Sequence, residues 1–173
     1  MSGRLNNRDR WIVPLSLWVS YLANDGEELL TMARTMSATL EALPVSCPLL
    51  SSHSRLDQRH VSVAIASMGV LYAAAVIEGI RTSGRGWLYQ DVQWVFGLHG
   101  VGHLAASAMT RRYTSGVLTS PTVVLPQLVF AISRLRRAGV RSTVRPARAA
   151  ALVGGWLIAS HALGAAVSSR QRG

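Results

Sequence analysis

Residues 60–80 read HVSVAIASMGVLYAAAVIEGI, a stretch in which little but Ser67 and Glu78 interrupts the apolar side chains. A run of about 21 residues is long enough, as a helix, to cross a hydrocarbon core of about 30 Å. The stretch therefore predicts a transmembrane helix and places the chain in the all-α class.

Two more segments have the length of a membrane span. Leu88 to Met109 carries Asp91, Gln93, His99 and His103, so one face of this helix must contact protein or a wet cavity rather than lipid. Ala149 to Val167 is rich in Ala and Gly, which permits close approach of a partner helix.

A fourth apolar segment, Val117 to Ile132, contains Pro121 and Pro126. Each proline removes a backbone donor, so we expect a kinked or interrupted helix.

The first apolar segment allows two interpretations. Trp11 to Ala23 is too short to cross alone, and Glu27 to Leu40 is amphipathic. The helix either continues through the acidic residues between them or breaks at Gly26 and begins again. No small-residue cleavage site precedes Asn24, so we expect the segment to remain in the mature protein.

These segments predict one polytopic transmembrane helical bundle, residues 1–173, with about five membrane helices. The composition agrees, since 49% of residues are hydrophobic and 15% charged, an unusual balance for a water-soluble domain. The single cysteine, Cys47, excludes an intramolecular disulfide. Between and beside the helices we expect a basic N-terminal tail (1–10), two loops (42–59 and 133–148) and a C-terminal tail (168–173).

The charge pattern indicates membrane topology. All 18 basic residues are Arg, the net charge is +10, and most arginines fall outside the apolar segments. Five crossings would put the N-terminus, the loop after Ile80 and the loop 133–148 on one side with the larger share of arginines, which predicts a cytoplasmic N-terminus and contact with membrane lipids. No aromatic-interleaved basic motif or zinc-finger spacing is present, so nucleic acid is not an expected partner.

Polar residues within apolar segments are the candidates for chemistry. His99 and His103 are four residues apart, so on a helix their imidazoles share one face and can bind one metal ion. Glu27, Glu28 and Glu78 could complete the site, with Fe, Mn or Zn as the candidate ion. The alternative is that the histidines hydrogen-bond across helices or pair with Glu78.

The acidic group Asp25, Glu27 and Glu28 also has two interpretations. Asp25 as an N-cap with Glu28 three residues later would form a capping box. Because the flanking segments are apolar, a carboxyl group facing the protein interior could instead act as a general acid.

Other polar and aromatic side chains have simpler interpretations. Glu78 could extend towards Arg81 or Arg85, and His161 could be a hydrogen-bond donor in helix packing. Four tryptophans near the segment ends fit an interfacial belt: Trp11, Trp18, Trp87 and Trp94.

With these residues identified, the chain resembles a family of small bacterial membrane proteins, the HXXEE domain family. Asn24-Asp25-Gly26-Glu27-Glu28 stands at the motif, with Asn24 where the family has His. Arg112-Tyr113-Thr114-Ser115-Gly116-Val117-Leu118-Thr119 is similar to the family's Arg-Tyr-Thr-Pro-Gly segment, with Ser115 at the Pro position, and Pro126 ends the next apolar run.

The resemblance implies a compact bundle in the bacterial cytoplasmic membrane, and it implies that five side chains converge: Glu27, Glu28, Glu78, His99 and His103. It supplies no reaction. If the family histidine is a metal ligand, Asn24 is a poorer one, and this chain would bind metal weakly, bind another ion or use its carboxylates as acids without metal.

Two function classes follow. The first is a membrane enzyme acting on a lipophilic, terpenoid- or acyl-like substrate, by metal-assisted chemistry or by Glu general-acid catalysis of cyclisation or isomerisation. The second is a non-enzymatic protein, either a proton or ion relay or an assembly partner that packs, as a homo-oligomer for example, through its Gly/Ala helix.

In the enzyme hypothesis Glu27 or Glu28 is the acid or first carboxylate ligand, and Glu78 bridges. The predicted catalytic residues are Asp25, Glu27, Glu28 and Glu78. The predicted metal ligands are Glu28, Glu78, His99 and His103. The predicted substrate pocket contains Trp18, Asn24, Trp94 and Tyr113.

Overall fold

The computed structural model describes residues 3–42 and 57–169. Within these ranges the chain forms helices and turns and contains no strand, which confirms the all-α class. Five α-helices follow one another, and a π-helical turn, Ser120–Val124, precedes the fourth. The helices are α1 (Asp9–Ala42), α2 (Gln58–Arg81), α3 (Trp87–Thr110), α4 (Leu125–Arg137) and α5 (Pro146–Ser169).

Helix α1 is continuous through the acidic residues. Its 34 residues include Gly26, so the interpretation with a break at Gly26 is wrong, and Asp25 is an interior helical residue rather than the N-cap of a capping box. A glycine inside a helix costs about 1 kcal/mol relative to alanine. Contacts on both sides offset that cost, because Leu17 and Tyr21 are buried before Gly26 and Glu28 is buried after it.

Three of the predicted segments match helices within a few residues, but the loop boundaries were drawn too wide. Helix α4 runs to Arg137, where the backbone N–H of Ala138 donates to the Arg134 carbonyl, and α5 begins at Pro146. Proline suits the first position of a helix because its missing N–H has no intrahelical partner there. The loop is therefore 138–145 rather than 133–148, and the predicted tails 1–10 and 168–173 also lose residues to α1 and α5.

The predicted loop 42–59 can be compared only at its edges. Residues 43–56, which include Cys47, lie outside the described residues. At the far edge Asp57 is the N-cap of α2, and its side chain accepts a hydrogen bond from the His60 backbone N–H at 2.8 Å. Residues 58 and 59 are already helical.

The segment predicted to be kinked by two prolines is divided as expected. Pro121 lies in the π-helical turn and Pro126 at the start of α4. Residues 111–119 before the turn, which we call the site loop, link α3 to it.

The core lies where α1, α2 and α3 meet. Tyr21 stacks on Tyr72 with ring centroids 4.2 Å apart, and Tyr72 meets the edge of Phe96 at 5.4 Å. These rings set the register of the three helices. As a result His99, about one turn beyond Phe96, faces Glu28, about two turns beyond Tyr21.

One end of the bundle gathers the segments that the charge pattern assigned to one side. The backbone N–H of Gly3 donates to the Gly139 carbonyl at 3.2 Å, and that of Leu5 to the Ser83 carbonyl at 3.1 Å. We call this the arginine-rich end, because the N-terminal segment, the α2–α3 turn and the loop 138–145 meet there. Its location in the cytoplasm stays a prediction.

Two of the described helices, α2 and α5, are long and apolar enough to cross a membrane. The remaining helices do not pass that test. Helix α1 carries Asp25, Glu27 and Glu28, and α4 has only 13 residues. The prediction of about five membrane helices is therefore supported for two, and a role of the others as spans stays a prediction.

Candidate metal centre

Three side-chain atoms from two helices form a nearly equilateral triangle, which we call the triad. Glu28 Oε1 on α1 lies 2.9 Å from His99 Nε2 and 2.8 Å from His103 Nε2 on α3. The two Nε2 atoms are 2.7 Å apart. The i, i+4 spacing of the histidines on α3 thus produces the shared face that the sequence predicted.

While Glu28 is ionised, hydrogen bonds alone cannot account for all three contacts of the triad. A neutral imidazole Nε2 carries either a proton or a free lone pair. If both histidines donate to Glu28 Oε1, their two N–H groups oppose each other. If His103 donates to His99, the His99 lone pair is used and no proton lies between His99 and the carboxylate. A cation accepting three lone pairs satisfies all three atoms at once.

The edge lengths of the triad can be compared with those of metal sites. Ligand atoms about 2.05 Å from an ion lie about 2.9 Å apart at octahedral right angles and about 3.35 Å apart at tetrahedral angles. The observed edges of 2.7, 2.8 and 2.9 Å are shorter than a tetrahedral edge and lie in the range of hydrogen bonds. If an ion binds here, two imidazoles and one carboxylate would hold it, and further ligands would complete its coordination.

The triad is buried on one side and open on the other. The Glu28 side chain is 6% exposed and that of His103 is 13% exposed, but that of His99 is 42% exposed. Leu98 and Val101 on the same helix are also exposed, but they point to other faces than His99. The triad is therefore reached from outside at His99.

Asn24 positions the carboxylate of the triad. It is fully buried, and its Nδ2 donates to Glu28 Oε1 at 2.9 Å. Its Oδ1 lies 3.0 Å from the Thr119 hydroxyl, whose single proton it shares with Glu27. Asn24 therefore acts on the triad through Glu28 and through the site loop.

Glu27, although adjacent in sequence, binds the site loop rather than the triad. Its Oε2 accepts from the Thr119 backbone N–H at 2.9 Å and hydroxyl at 2.6 Å. Its Oε1 accepts from the Tyr113 hydroxyl at 2.5 Å and the Leu118 N–H at 3.2 Å. Partial burial and the hydrogen bond to Glu27 raise the pKa of Tyr113. Because these four hydrogen bonds all come from the site loop, Glu27 holds the loop in place.

The site loop held by Glu27 packs against one histidine of the triad, His103. Gly116 has a φ of +80°, and a Cβ there would lie 2.7 Å from the His103 ring, so glycine is required on both counts. Ser115 and Thr31 share a hydrogen bond of 2.8 Å between their hydroxyl groups. Glu27 and Thr31, one turn apart on α1, thus hold the loop that confines His103.

Comparison with known proteins identifies a family that matches this chain. The model of the family described as "protein of unknown function with HXXEE motif" matches residues 15–131, more than half of the chain. The chain belongs to the HXXEE family. No curated protein and no solved structure gives a match. The matched residues contain the whole triad, Asn24 and the site loop.

Glu78 of this HXXEE protein lies away from the triad. Its Oε2 accepts from the Tyr89 backbone N–H at 2.8 Å, so it caps the first turn of α3. Gly86, the N-cap residue, has no side chain to do so. His99 is ten residues beyond Tyr89, about 15 Å along the helix. The structure does not bring Glu78 to the site as a bridging ligand, nor pair it with Arg81 or Arg85 among the described residues.

The remaining predicted residues differ in how near they lie to the triad. Asp25 lies near Tyr21 and Asn24, next to the triad. Trp18 stacks on Tyr21 at 5.5 Å and lines a groove between α1 and α2. Trp94 is half-buried on α3, five residues before His99, so helix periodicity directs it to another face.

His161, interpreted as a lone packing histidine, has a histidine partner. Its Nδ1 lies 3.0 Å from Nε2 of His60, which joins α5 to the start of α2. This pair is separate from the triad and provides an internal control for experiments on histidines.

The sequence did not identify Thr31, Gly116 or Thr119 as parts of the site. Gly116 and Thr119 had one signal, the resemblance of the segment 112–119 to the family, which marked the segment without giving its role; Thr31 had none. The role of the segment depends on contacts with Glu27 and Thr31, more than 80 residues away in sequence.

Proposed function

We propose that this HXXEE protein is a membrane metalloenzyme that binds a divalent metal ion through Glu28, His99 and His103 and acts on a lipophilic substrate. The observation that carries the proposal is the triad, whose three lone-pair atoms converge with edges of 2.7 to 2.9 Å. While Glu28 is ionised, no pattern of protons on the two imidazoles satisfies all three contacts without an ion.

Iron(II), manganese(II) and zinc(II) are the candidate ions for the triad. The donor set of two imidazoles and one carboxylate suits all three ions. When bound, such an ion supplies Lewis acidity and activates a ligand at an open position. Asn24 holds the carboxylate in place, and the site loop restricts His103.

A lipophilic substrate fits the apolar outer surface of the described helices. Exposed large apolar side chains occur on every described helix, which supports a location in the membrane. They include Val19 and Leu30 on α1, Val70 and Ile77 on α2, Met109 on α3, Val129 on α4, and Ile158 and Leu163 on α5.

The metal-free alternative, with Glu28 as a general acid for cyclisation, has weaker support. Its Oε1 accepts a hydrogen bond from Asn24 and lies within 2.9 Å of both imidazoles. Donors directed at a carboxylate oxygen stabilise the ionised form, which is the wrong state for an acid. The same arrangement suits a metal ligand.

Elemental analysis of detergent-purified protein tests the proposal. We expect about one equivalent of metal per chain in the wild type, its loss in the His99→Ala, His103→Ala double variant, and its retention in His60→Ala. The last variant is a matched control, because His60 also lies 3.0 Å from a second histidine, His161, but outside the triad.

A second variant distinguishes loss of the metal from loss of the fold. Glu28→Gln should lose the metal while keeping helical circular dichroism, because the amide preserves the shape of the side chain. Folded wild-type protein that carries no metal, and takes up none from Fe(II), Mn(II) or Zn(II), would overturn the proposal. Polyprenyl substrates would then be tested for cyclisation by Glu28.

A further inference from the structure

A long apolar groove lies between α1 and α4, away from the triad. Its volume is about 570 Å³. Ile12, Leu15 and Val19 form one wall, and Val123, Pro126 and Phe130 form the other. At its floor the Gln127 amide donates to the Ser16 hydroxyl at 3.1 Å. The buried Ser20 hydroxyl has no hydrogen-bond partner among the described residues, and most of the remaining lining is hydrocarbon.

Arginines stand at one end of the groove. Arg134, about one turn beyond Phe130, places its guanidinium 5.4 Å from the centre of that ring. Its side chain is 43% exposed, and its ion pair with Asp9 is long, at 3.6 Å. Arg8 is exposed about one turn before Ile12. An anionic group can therefore approach Arg134 and Arg8 without displacing a close ion pair.

The dimensions of the groove match one lipid tail. From Arg134 back to Val123 the helical rise is about 16 Å. One leaflet of a hydrocarbon core about 30 Å thick has a similar depth. A tail lying in the groove would thus place its head group beside the arginines.

We infer that this groove binds one anionic phospholipid, with the acyl chain between α1 and α4 and the phosphate beside Arg134 and Arg8. Basic residues next to an apolar cleft between membrane helices are a recognised arrangement for anionic head groups. The inference is independent of the metal, because none of the residues that form the groove belongs to the triad or to the site loop.

Native mass spectrometry of the full chain tests this inference. Protein released from detergent micelles would be offered equal amounts of phosphatidylglycerol and phosphatidylcholine. We expect the wild type to retain one phosphatidylglycerol with a preference of about tenfold, and the Arg8→Gln, Arg134→Gln double variant to show a ratio near one. Arg136→Gln is the matched control, since it removes the same charge from another face of α4.

A second variant tests the chain position. Val19→Trp fills the groove and leaves the arginines, so it should reduce retention of both lipids; Leu15→Trp is the substitute if the first variant does not fold. Equal retention of the two lipids by the wild type would overturn the inference, as would an equal loss in Arg136→Gln. Conversion of a dimer to a monomer by Val19→Trp, without a change in bound lipid, would show instead that a second copy occupies the groove.

Discussion

Neighbouring glutamates in the motif have different roles at the scale of single residues. Glu28 contributes the carboxylate of the triad, and Glu27 holds the site loop through four hydrogen bonds. Successive helical residues are rotated by about 100°, so the two side chains meet different elements. Which element each glutamate contacts is set by the rotation of α1 about its axis, and the sequence alone does not show that rotation.

Substitution of each glutamate should separate these roles. Glu28→Gln replaces a charged ligand by a neutral amide, and we expect metal affinity to fall at least about 100-fold. Glu27→Gln turns an amide N–H₂ towards groups that are themselves donors, and should lower the free energy of unfolding by about 2 kcal/mol. Metal titration and thermal unfolding of both variants provide the measurements. Metal loss in Glu27→Gln alone would reverse the assignment.

At the scale of secondary-structure elements, the start of helix α3 depends on a side chain from helix α2. The N-cap residue of α3 is a glycine, which has no side chain to accept a hydrogen bond from the first turn. The Glu78 carboxylate from α2 accepts the Tyr89 N–H instead. A carboxylate at this position also interacts favourably with the helix dipole. Glu78 thereby fixes the start of the helix that carries both triad histidines.

Replacing Glu78 by Gln should therefore affect stability and leave the metal bound. Loss of the charged cap should lower the free energy of unfolding by about 1 kcal/mol, measured by thermal or denaturant unfolding in detergent micelles. Elemental analysis should still give the wild-type metal content. Loss of metal in folded Glu78→Gln protein would instead support the prediction that Glu78 is a bridging ligand.

The sequence predicts those elements whose signal is local. The segments 60–80, 88–109 and 149–167 correspond to α2, α3 and α5 because long apolar runs need no partner to be recognised. The sequence does not decide whether α1 continues through Gly26, since this continuity rests on tertiary contacts made by Tyr21 and Glu28. Within the site, the spacing of His99 and His103 predicted a shared face, but choosing among three glutamates requires the register set by the aromatic core.

At the scale of the whole molecule, the arginine-rich end and the triad are far apart. Glu28 lies 19 residues after the start of α1, about 28 Å along the helix. That distance is close to the thickness of a hydrocarbon core. If the arginine-rich end is cytoplasmic, the triad lies near the opposite interface, and its open side at His99 faces the outer leaflet.

Cysteine labelling in a Cys47→Ser background tests this arrangement. Ser142→Cys marks the arginine-rich end, and Arg112→Cys marks the site loop; both positions are exposed. We expect a membrane-impermeant maleimide to label Arg112→Cys in intact cells and Ser142→Cys only after permeabilisation, because the positive-inside bias retains the arginines in the cytoplasm. The reverse pattern would place the triad on the cytoplasmic side. Labelling of both positions in intact cells would contradict a bundle that spans the membrane between them.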